Sequence, residues 1–226
     1  MISIILPIYN EEKNISIVIN DVLNFFRDKN LSFEIIAVND GSRDKTKEIL
    51  DDFKKEKNIT VVTHQNNLGY GAALNDGFKM ASGDLIFFTD SDRQFDIRDI
   101  GLFLEKIKNV DFVIGYRKKR KDPLIRIANA LIFRFAATVF FGVKVRDVDC
   151  AFKIFKKDVL FNLKITSDGA LINLEILAKA QKKGYKFIEL PVNHFRRKEG
   201  KPTGGSLKVI SKAIINLFKL WKEVFI

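Results

Sequence analysis

The sequence predicts an α/β fold in which helices cover both faces of a mostly parallel central sheet. Three observations predict it. Short apolar runs alternate regularly with runs of helical period through the first half of the chain. Those apolar runs are nearly continuous rather than alternating, as strands buried on both faces are. Each is followed by a polar cluster, so four clusters fall on one rim of the sheet, where ligands bind in open parallel sheets. The 226 residues, 46% of them hydrophobic, suit one domain with a short appendage.

The elements follow in order. Ile2 to Ile8 reads as a buried strand, and Glu11 to Arg27 as a helix with Ile15, Val18, Ile19, Val22, Phe25 and Phe26 at helical spacing. Phe33 to Val38 is a second strand. Asp44 to Lys55 is a charged helix with Ile49, Leu50 and Phe53 on one side. Ile59 to Thr63 is a third strand, Gly71 to Ala81 a helix with small residues at its start, and Leu85 to Thr89 a fourth strand. Ile97 to Ile107 reads as a helix and Asp111 to Gly115 as a strand. The second half is less regular. A basic loop (Tyr116 to Asp122) precedes an apolar segment with embedded arginines (Pro123 to Val143). Then come an amphipathic helix (Ile172 to Lys183), a short strand (Phe187 to Val192), a basic glycine-bearing loop (Phe195 to Ser206) and a last helix (Leu207 to Ile226). The division expected is a domain over 1–206 and an amphipathic helix over 207–226.

Composition narrows the partners. With 39 basic and 28 acidic residues the net charge is +11, which favours an anionic partner: nucleic acid, anionic lipid or a phosphorylated substrate. A lysine-rich surface kept for solubility explains the same excess. Cys150 is the single cysteine, so no intramolecular disulfide forms, in keeping with a reducing compartment. The apolar run at Ile2 lacks a basic leader, and no run approaches the ~20 unbroken apolar residues of a membrane span. Neither a signal peptide nor an ordinary bilayer-spanning helix is therefore expected.

Four polar clusters carry the chemistry. In Asp90-Ser91-Asp92, two carboxylates one residue apart at a strand end suit one hard cation, Mg²⁺ or Mn²⁺, with Gln94 as a further oxygen ligand. A polar turn with capping aspartates explains the same residues. In Asn39-Asp40-Gly41-Ser42, the carboxylate suits a base N–H or ribose hydroxyl, Gly41 a tight turn and Ser42 a helix cap; an Asx-turn explains them equally well. In Pro7-Ile8-Tyr9-Asn10-Glu11, Tyr9 suits stacking on a base and Glu11 lies near the positive end of a helix. Asn66 opens the fourth cluster, where the glycines of Asn67-Leu68-Gly69-Tyr70-Gly71 allow close backbone approach to a ligand. It is neither a P-loop nor a dinucleotide fingerprint.

Taken together, PIYNEE, VNDGS, NLGYGAALNDGF and TDSDRQFD resemble the family 2 inverting glycosyltransferases of GT-A fold, from Met1 to about Ser206. The resemblance implies a nucleotide-sugar donor, GDP-mannose or a UDP-hexose. It places Pro7, Tyr9, Glu11 and Asp40 on the nucleoside, Asn66, Gly71, Asp90 and Ser91 on the nucleotide-sugar, and Asp90, Asp92 and Gln94 on the metal. Asn39 departs from the second aspartate that many relatives carry. In the second half GYR at Gly115, RIAN at Arg126, DVDCAFKIF at Asp147, and PVNHFRR followed by GGS at Gly204 are similar to dolichyl-phosphate mannosyltransferase and its bacterial polyprenyl-phosphate relatives. That implies a lipid phosphate acceptor bound by Arg117 and Arg126, whose planar guanidinium groups suit phosphate oxygens.

A phosphate acceptor is mostly dianionic at neutral pH and attacks without a general base. An alcohol acceptor needs one, and Asp147 is the carboxylate placed for it. With Asp92 it completes the expected catalytic pair. Asp149 and Lys153 read as orienting groups, and His194 as a donor to a diphosphate or a satisfied loop histidine.

The membrane reading is separate. The segment from Leu124 to Val143 is too apolar for a solvated helix. In the last helix Lys208, Lys212, Lys219 and Lys222 fall near one face, and Val209, Ile210, Ala213, Ile214, Leu217, Leu220, Trp221 and Val224 largely on the others, as in an interfacial helix. Docking onto the protein's own core explains the apolar positions too. The expected location is cytoplasmic, held peripherally on the cytoplasmic face of a membrane, with self-association or a membrane-protein partner left open. Three rivals remain: a sugar or polysaccharide hydroxyl acceptor, a catalytically dead nucleotide-binding scaffold, and a basic nucleic-acid-binding protein. The last lacks a strand platform of paired basic and aromatic residues, so no nucleic-acid partner is expected.

Overall fold

The structure is a computed structural model describing residues 1–200 and 207–225, with side chains over 1–200 and 216–225. The boundary at Ser206, the GGS string and the face carrying Lys208 and Lys212 lie outside the described residues.

Seven strands form one sheet: β1 (Ile2–Ile8), β2 (Phe33–Asn39), β3 (Ile59–Thr63), β4 (Leu85–Thr89), β5 (Phe112–Arg117), β6 (Phe152–Lys156) and β7 (Phe187–Val192). Their order is β3-β2-β1-β4-β6-β5-β7. All run parallel except β6, which pairs antiparallel with both β4 and β5. The α/β expectation holds, with one addition. Phe152–Lys156 is a strand that the strand–helix alternation does not announce. The reason is Lys153, its second residue, a fully buried cation. Its ammonium donates to Val148 O (3.2 Å), Cys150 O and Asn173 Oδ1 (2.7 Å), so the charge is solvated by carbonyls inside the fold.

Alternate residues of β1 serve two cores. Ile4, Leu6 and Ile8 face α1 (Ile15–Asp28) and α4 (Ile100–Lys106), meeting Val18, Ile19, Val22, Phe26 and Phe103. Ile5 faces α3 (Tyr70–Met80), whose Gly77 passes so close that an added Cβ would lie 2.3 Å from the Ile5 side chain. This is the period of two that fixes strand register. α2 (Thr46–Phe53) covers the β3 edge through Leu50. α5 (Leu124–Phe141), α6 (Lys157–Asn162), α7 (Ile172–Lys182) and α8 (Leu207–Phe225) gather on the face opposite α1.

α5 anchors only its C-terminal end. Ala137 and Phe141 are buried, and Gly142 at φ +69° ends the helix in the left-handed region. The remainder exposes Leu124, Ile125, Leu131, Ile132, Phe135, Val139 and Phe140. At 18 residues and a mean hydropathy of 1.7, α5 is long and apolar enough to cross a membrane by length and composition, although the sequence gives no unbroken apolar run. α8 packs Leu220 and Val224 into the core beside α7 while Phe218, Trp221 and Phe225 stay exposed. Docking and amphipathic exposure, set as alternatives from the sequence, coexist in this helix.

Candidate active site at the strand ends

The loops after β1, β2, β4 and β7 converge on one site. The β1 and β2 loops are zipped together by side chain to backbone bonds. Asn10 N donates to Ser42 Oγ (2.9 Å), Arg43 N to Asn10 Oδ1 (2.8 Å) and Glu11 N to Thr46 Oγ1 (2.9 Å). Asn10 takes φ +55°, which asparagine tolerates. Ser42 is therefore a brace for the β1 loop and not the cap of α2. Asn39 Oδ1 accepts from Ser42 N (3.1 Å), closing the Asx-turn.

Asp40 is buried and heavily engaged. It accepts from Leu68 N (2.8 Å) and Gly69 N (2.9 Å), and lies 2.8 Å from His64 Nδ1. His64 reaches Asp76 on its other nitrogen at 3.1 Å. Asp40 thus pins the loop before α3 against the β2 turn. Gly41 is needed there, since a Cβ would sit 2.4 Å from the Asn66 backbone. Gly69 and Gly71 have a similar cause. A Cβ on Gly71 would meet Ser167 O at 2.4 Å, and one on Gly69 would meet Asp168 O at 2.6 Å. The backbone these glycines admit is the chain's own 167–169 turn. Glu175 holds that turn by accepting from Thr166 N (2.9 Å) and Ser167 N (2.8 Å).

Asp90 and Asp92 stand at the end of β4. Ser91 points the other way and donates to Pro7 O (2.9 Å), tying the β4 turn to β1. Burial, then the neighbouring Asp92, pushes the Asp90 carboxyl up to about 7. Burial raises Asp92 as well, partly offset by Arg197. Cationic compensation of the pair is thus only partial, and its hard oxygen donors suit Mg²⁺ or Mn²⁺. Among the described residues no group of three or more His, Cys, Asp or Glu side chains is disposed to hold a metal, so the candidate ligands there are this carboxylate pair with Gln94. Gln94 Nε2 donates to Phe195 O (3.0 Å), which leaves the amide oxygen as its other end. Among the described residues three buried polar atoms have no partner: Asn39 Nδ2, Tyr70 Oη and Thr89 Oγ1. All three belong to the ends of β2 and β4 and the start of α3. Orphaned groups concentrated at one rim mark a ligand surface.

Arg197 is the site residue that the sequence does not single out. It bonds Glu11 Oε1 (2.5 Å) and Asp92 Oδ2 (3.1 Å) together. Burial raises the Glu11 carboxyl, while Asn14 and Arg197 pull it back. One of two adjacent arginines in a basic loop carries no signal of its own until the fold brings it across the strand ends. Tyr9 stays half-buried beside this site.

A second cluster adjoins it. Arg117 forms a two-pronged pair with Asp147, Nε to Oδ2 at 2.6 Å and Nη2 to Oδ1 at 2.7 Å. Asp122 gathers Arg120 (2.9 Å), Arg117 (3.6 Å) and Arg126 (3.7 Å). Burial opposes ionisation of Asp147, but its bonds to Arg117 win and hold it below the usual carboxylate range. So placed, Asp147 orients an arginine rather than accepting a proton. Burial, then Asp147, pushes Asp149 up to about 6. His194 accepts from Lys121 N (3.2 Å), and burial followed by Arg117 pushes it down to about 4, leaving it neutral. A cavity of about 200 Å³ opens here, lined by Arg117, Arg120, Arg134, Arg146, Tyr116 and Leu131 among others. Arg146 lies over the Tyr116 ring at 4.6 Å, and Arg134 donates to Arg146 O (3.3 Å). Among the described residues neither is paired with a carboxylate.

A mostly parallel mixed sheet with helices on both faces, ending in a buried carboxylate pair, is an α/β fold of the GT-A class. Residues 3–163 match the model of glycosyl transferase family 2, and the chain belongs to that family. A dolichyl-phosphate beta-glucosyltransferase of Trichomonas vaginalis is 33% identical over 212 residues, covering 84% of this chain and 64% of that protein. This chain thus spans a little under two thirds of that relative. An uncharacterised protein of Methanocaldococcus jannaschii is 34% identical over 199 residues, covering 82% and 84%. Among solved structures, glucosyl-3-phosphoglycerate synthase from Mycobacterium tuberculosis, bound to Mn²⁺, UDP and phosphoglyceric acid, superposes with a TM-score of 0.75 over 98% of this chain and 78% of that one, at 18% identity. TarS of S. aureus with UDP-GlcNAc gives 0.64 over 97% and 66%, also at 18%. These structural likenesses bear on the fold.

Proposed function

We propose that this protein transfers a hexose from a nucleotide-sugar to a polyprenyl phosphate at a membrane surface, with a divalent cation held by Asp90 and Asp92. The observation that carries the reading is one juxtaposition. A cavity lined by four arginines, Asp147 and Asp149 takes one wall from Arg117, whose charge acts on the buried Asp90, and another from Ile127, Leu131 and Arg134 of α5, whose apolar face is exposed. A substrate with a phosphate head and a hydrocarbon tail matches both halves. The cation, when bound, neutralises the diphosphate as it departs. UDP-glucose is the donor put first, because the Trichomonas relative is a glucosyltransferase and the structural neighbours bind UDP. A mannosyl donor has less support.

The chain's own residues do the rest. The acceptor phosphate is the nucleophile: its oxygen bonds to the anomeric carbon as the bond to the nucleoside diphosphate breaks on the opposite face, inverting the centre. A dianionic phosphate needs no proton removed, consistent with Asp147 being committed to Arg117. Arg117 is accordingly a prepositioned cation, while Arg134 and Arg146 keep free capacity for phosphate oxygens. Pro7, Tyr9, Glu11, Asp40 and Asn66 border the nucleoside side. The domain is assigned to the cytoplasmic face of a membrane, with α5 and the aromatic side of α8 against the lipid.

The test is a kinetic split. Replacing Arg134 and Arg146 with Ala is expected to raise KM for a short polyprenyl phosphate by tenfold or more while leaving KM for UDP-glucose near normal. A rise confined to the donor contradicts the assignment. Faster transfer to phosphoglyceric acid or a free sugar than to the lipid phosphate moves the acceptor out of the membrane.

A further inference from the structure

We propose that Arg197 is a resident counter-ion that a divalent cation has to displace, so that the cation binds tightly only together with the diphosphate it neutralises. This rests on Asp90 and Asp92 being the metal-holding pair.

The geometry is that of a strap. Arg197 lies 186 positions from Glu11 and 105 from Asp92, yet its guanidinium bonds both at 2.5 and 3.1 Å. Its Nε donates to Glu199 O (2.8 Å), and Glu199 in turn meets Lys13 at 3.0 Å. The foot of the strap is fixed two residues earlier. Phe195 N donates to Gln94 O (2.8 Å), Gln94 Nε2 donates to Phe195 O, and Phe95 and His194 form a β-bridge. Asp92 and Gln94 therefore share a rigid base with the segment that delivers Arg197.

Glu11 and Asp92 are both buried, and Arg197 is the cation that compensates them. A dication on Asp92 would share a carboxylate with a guanidinium already bonded to Oδ2, while Oδ1 accepts from Gln94 N (3.1 Å). Cation would face cation at short range in a site screened from water. A free divalent ion arriving alone gains little, because it must first release the guanidinium and strand Glu11 without its partner. A nucleoside diphosphate changes that balance. It brings negative charge for the metal and a new anionic partner for the released guanidinium. Arg197 thereby makes metal and donor binding cooperative.

The test uses the whole chain, with Mn²⁺ as the probe and its free-ion electron paramagnetic resonance as the readout, with and without UDP. Wild type is expected to bind Mn²⁺ weakly alone and much more tightly with UDP. Arg197→Gln is expected to bind Mn²⁺ alone about tenfold tighter or more, the scale of one charge-assisted bond removed, with the gain from UDP shrinking to match. Mn²⁺ binding by Arg197→Gln that is no tighter than wild type overturns the proposal. Asp92→Asn separates the underlying reading: if it binds Mn²⁺ and UDP as wild type does, the metal assignment itself falls. Should Arg197→Gln not melt cooperatively, Arg197→Lys, too compact a donor to clamp both carboxylates, is expected to tighten Mn²⁺ binding, and no tightening there overturns the proposal equally.

Discussion

Each residue of the site is placed by a specific competition between ligand chemistry and local structure. Asp92 is the clearest ligand candidate, since burial raises it and one arginine offsets it only in part. Asp92→Asn is expected to lower turnover by a hundredfold or more with an unchanged circular dichroism spectrum; near-normal turnover would remove the metal from the mechanism. Gly71 belongs to structure. Gly71→Ala places a methyl 2.4 Å from a carbonyl oxygen of the 167–169 turn, so a loss of about 1–3 kcal/mol in denaturant melts is expected. Glu175 carries a pH signature. Burial opposes its charge, but Lys179, Ser167 and Thr166 together hold its carboxyl below the ordinary value. A depressed folded value means the stabilisation is present above the unfolded value near 4.5 and is lost as pH falls through the folded one. Glu175→Gln should cost about 1–3 kcal/mol at pH 7 and progressively less below pH 4.5, read from urea melts across that window. Legibility at this scale divides sharply. Asp90 and Asp92 stand out because carboxylates following an apolar strand are conspicuous. Arg197 does not, because its role arises only when a loop far along the chain folds over β1 and β4. The glycines of the Asn67 to Gly71 string are visible, but their partner, the chain's own 167–169 turn, is not.

At the level of elements, period and length are enough for most strands, central or at the sheet edge. β1, β3, β4 and β7 read directly from their apolar runs. β6 escapes because Lys153 breaks the apolar pattern, and its charge is absorbed by carbonyls that no local rule anticipates. Its antiparallel direction also departs from the strand–helix alternation of the first half. α1 begins at Ile15 rather than Glu11, since Asn14 Nδ2 and Arg197 both claim the Glu11 side chain and residues 12–14 form turns. α5 shows the reverse. Its apolarity is plain in the sequence, but only the structure shows that most of that surface is left uncovered. Burying each exposed Leu, Ile or Phe is worth about 1.5–3 kcal/mol, ample for reversible attachment to a bilayer. Ile132→Glu with Phe135→Glu is expected to reduce sedimentation with anionic vesicles by tenfold or more while thermal stability is unchanged. Equal partition of variant and wild type would assign that face to another protein surface.

For the whole molecule, the charge of +11 and the apolar face act together. On the proposed reading the basic charge would draw the protein to an anionic surface, where the exposed side of α5 would offer a hydrocarbon contact. In the proposed reaction the carboxylate pair would face the donor, the arginine-bearing cavity the acceptor phosphate, and α5 the lipid. The central claim is that these three parts serve one reaction. It is tested most directly by incubating the protein with UDP-[¹⁴C]glucose, Mn²⁺ and vesicles containing a short polyprenyl phosphate, then counting label extracted into organic solvent. Metal-dependent label in a lipid product is expected, abolished by Asp92→Asn and reduced by loss of Arg134 and Arg146. Label that stays in the aqueous phase, as free glucose or a soluble glucoside, would contradict it.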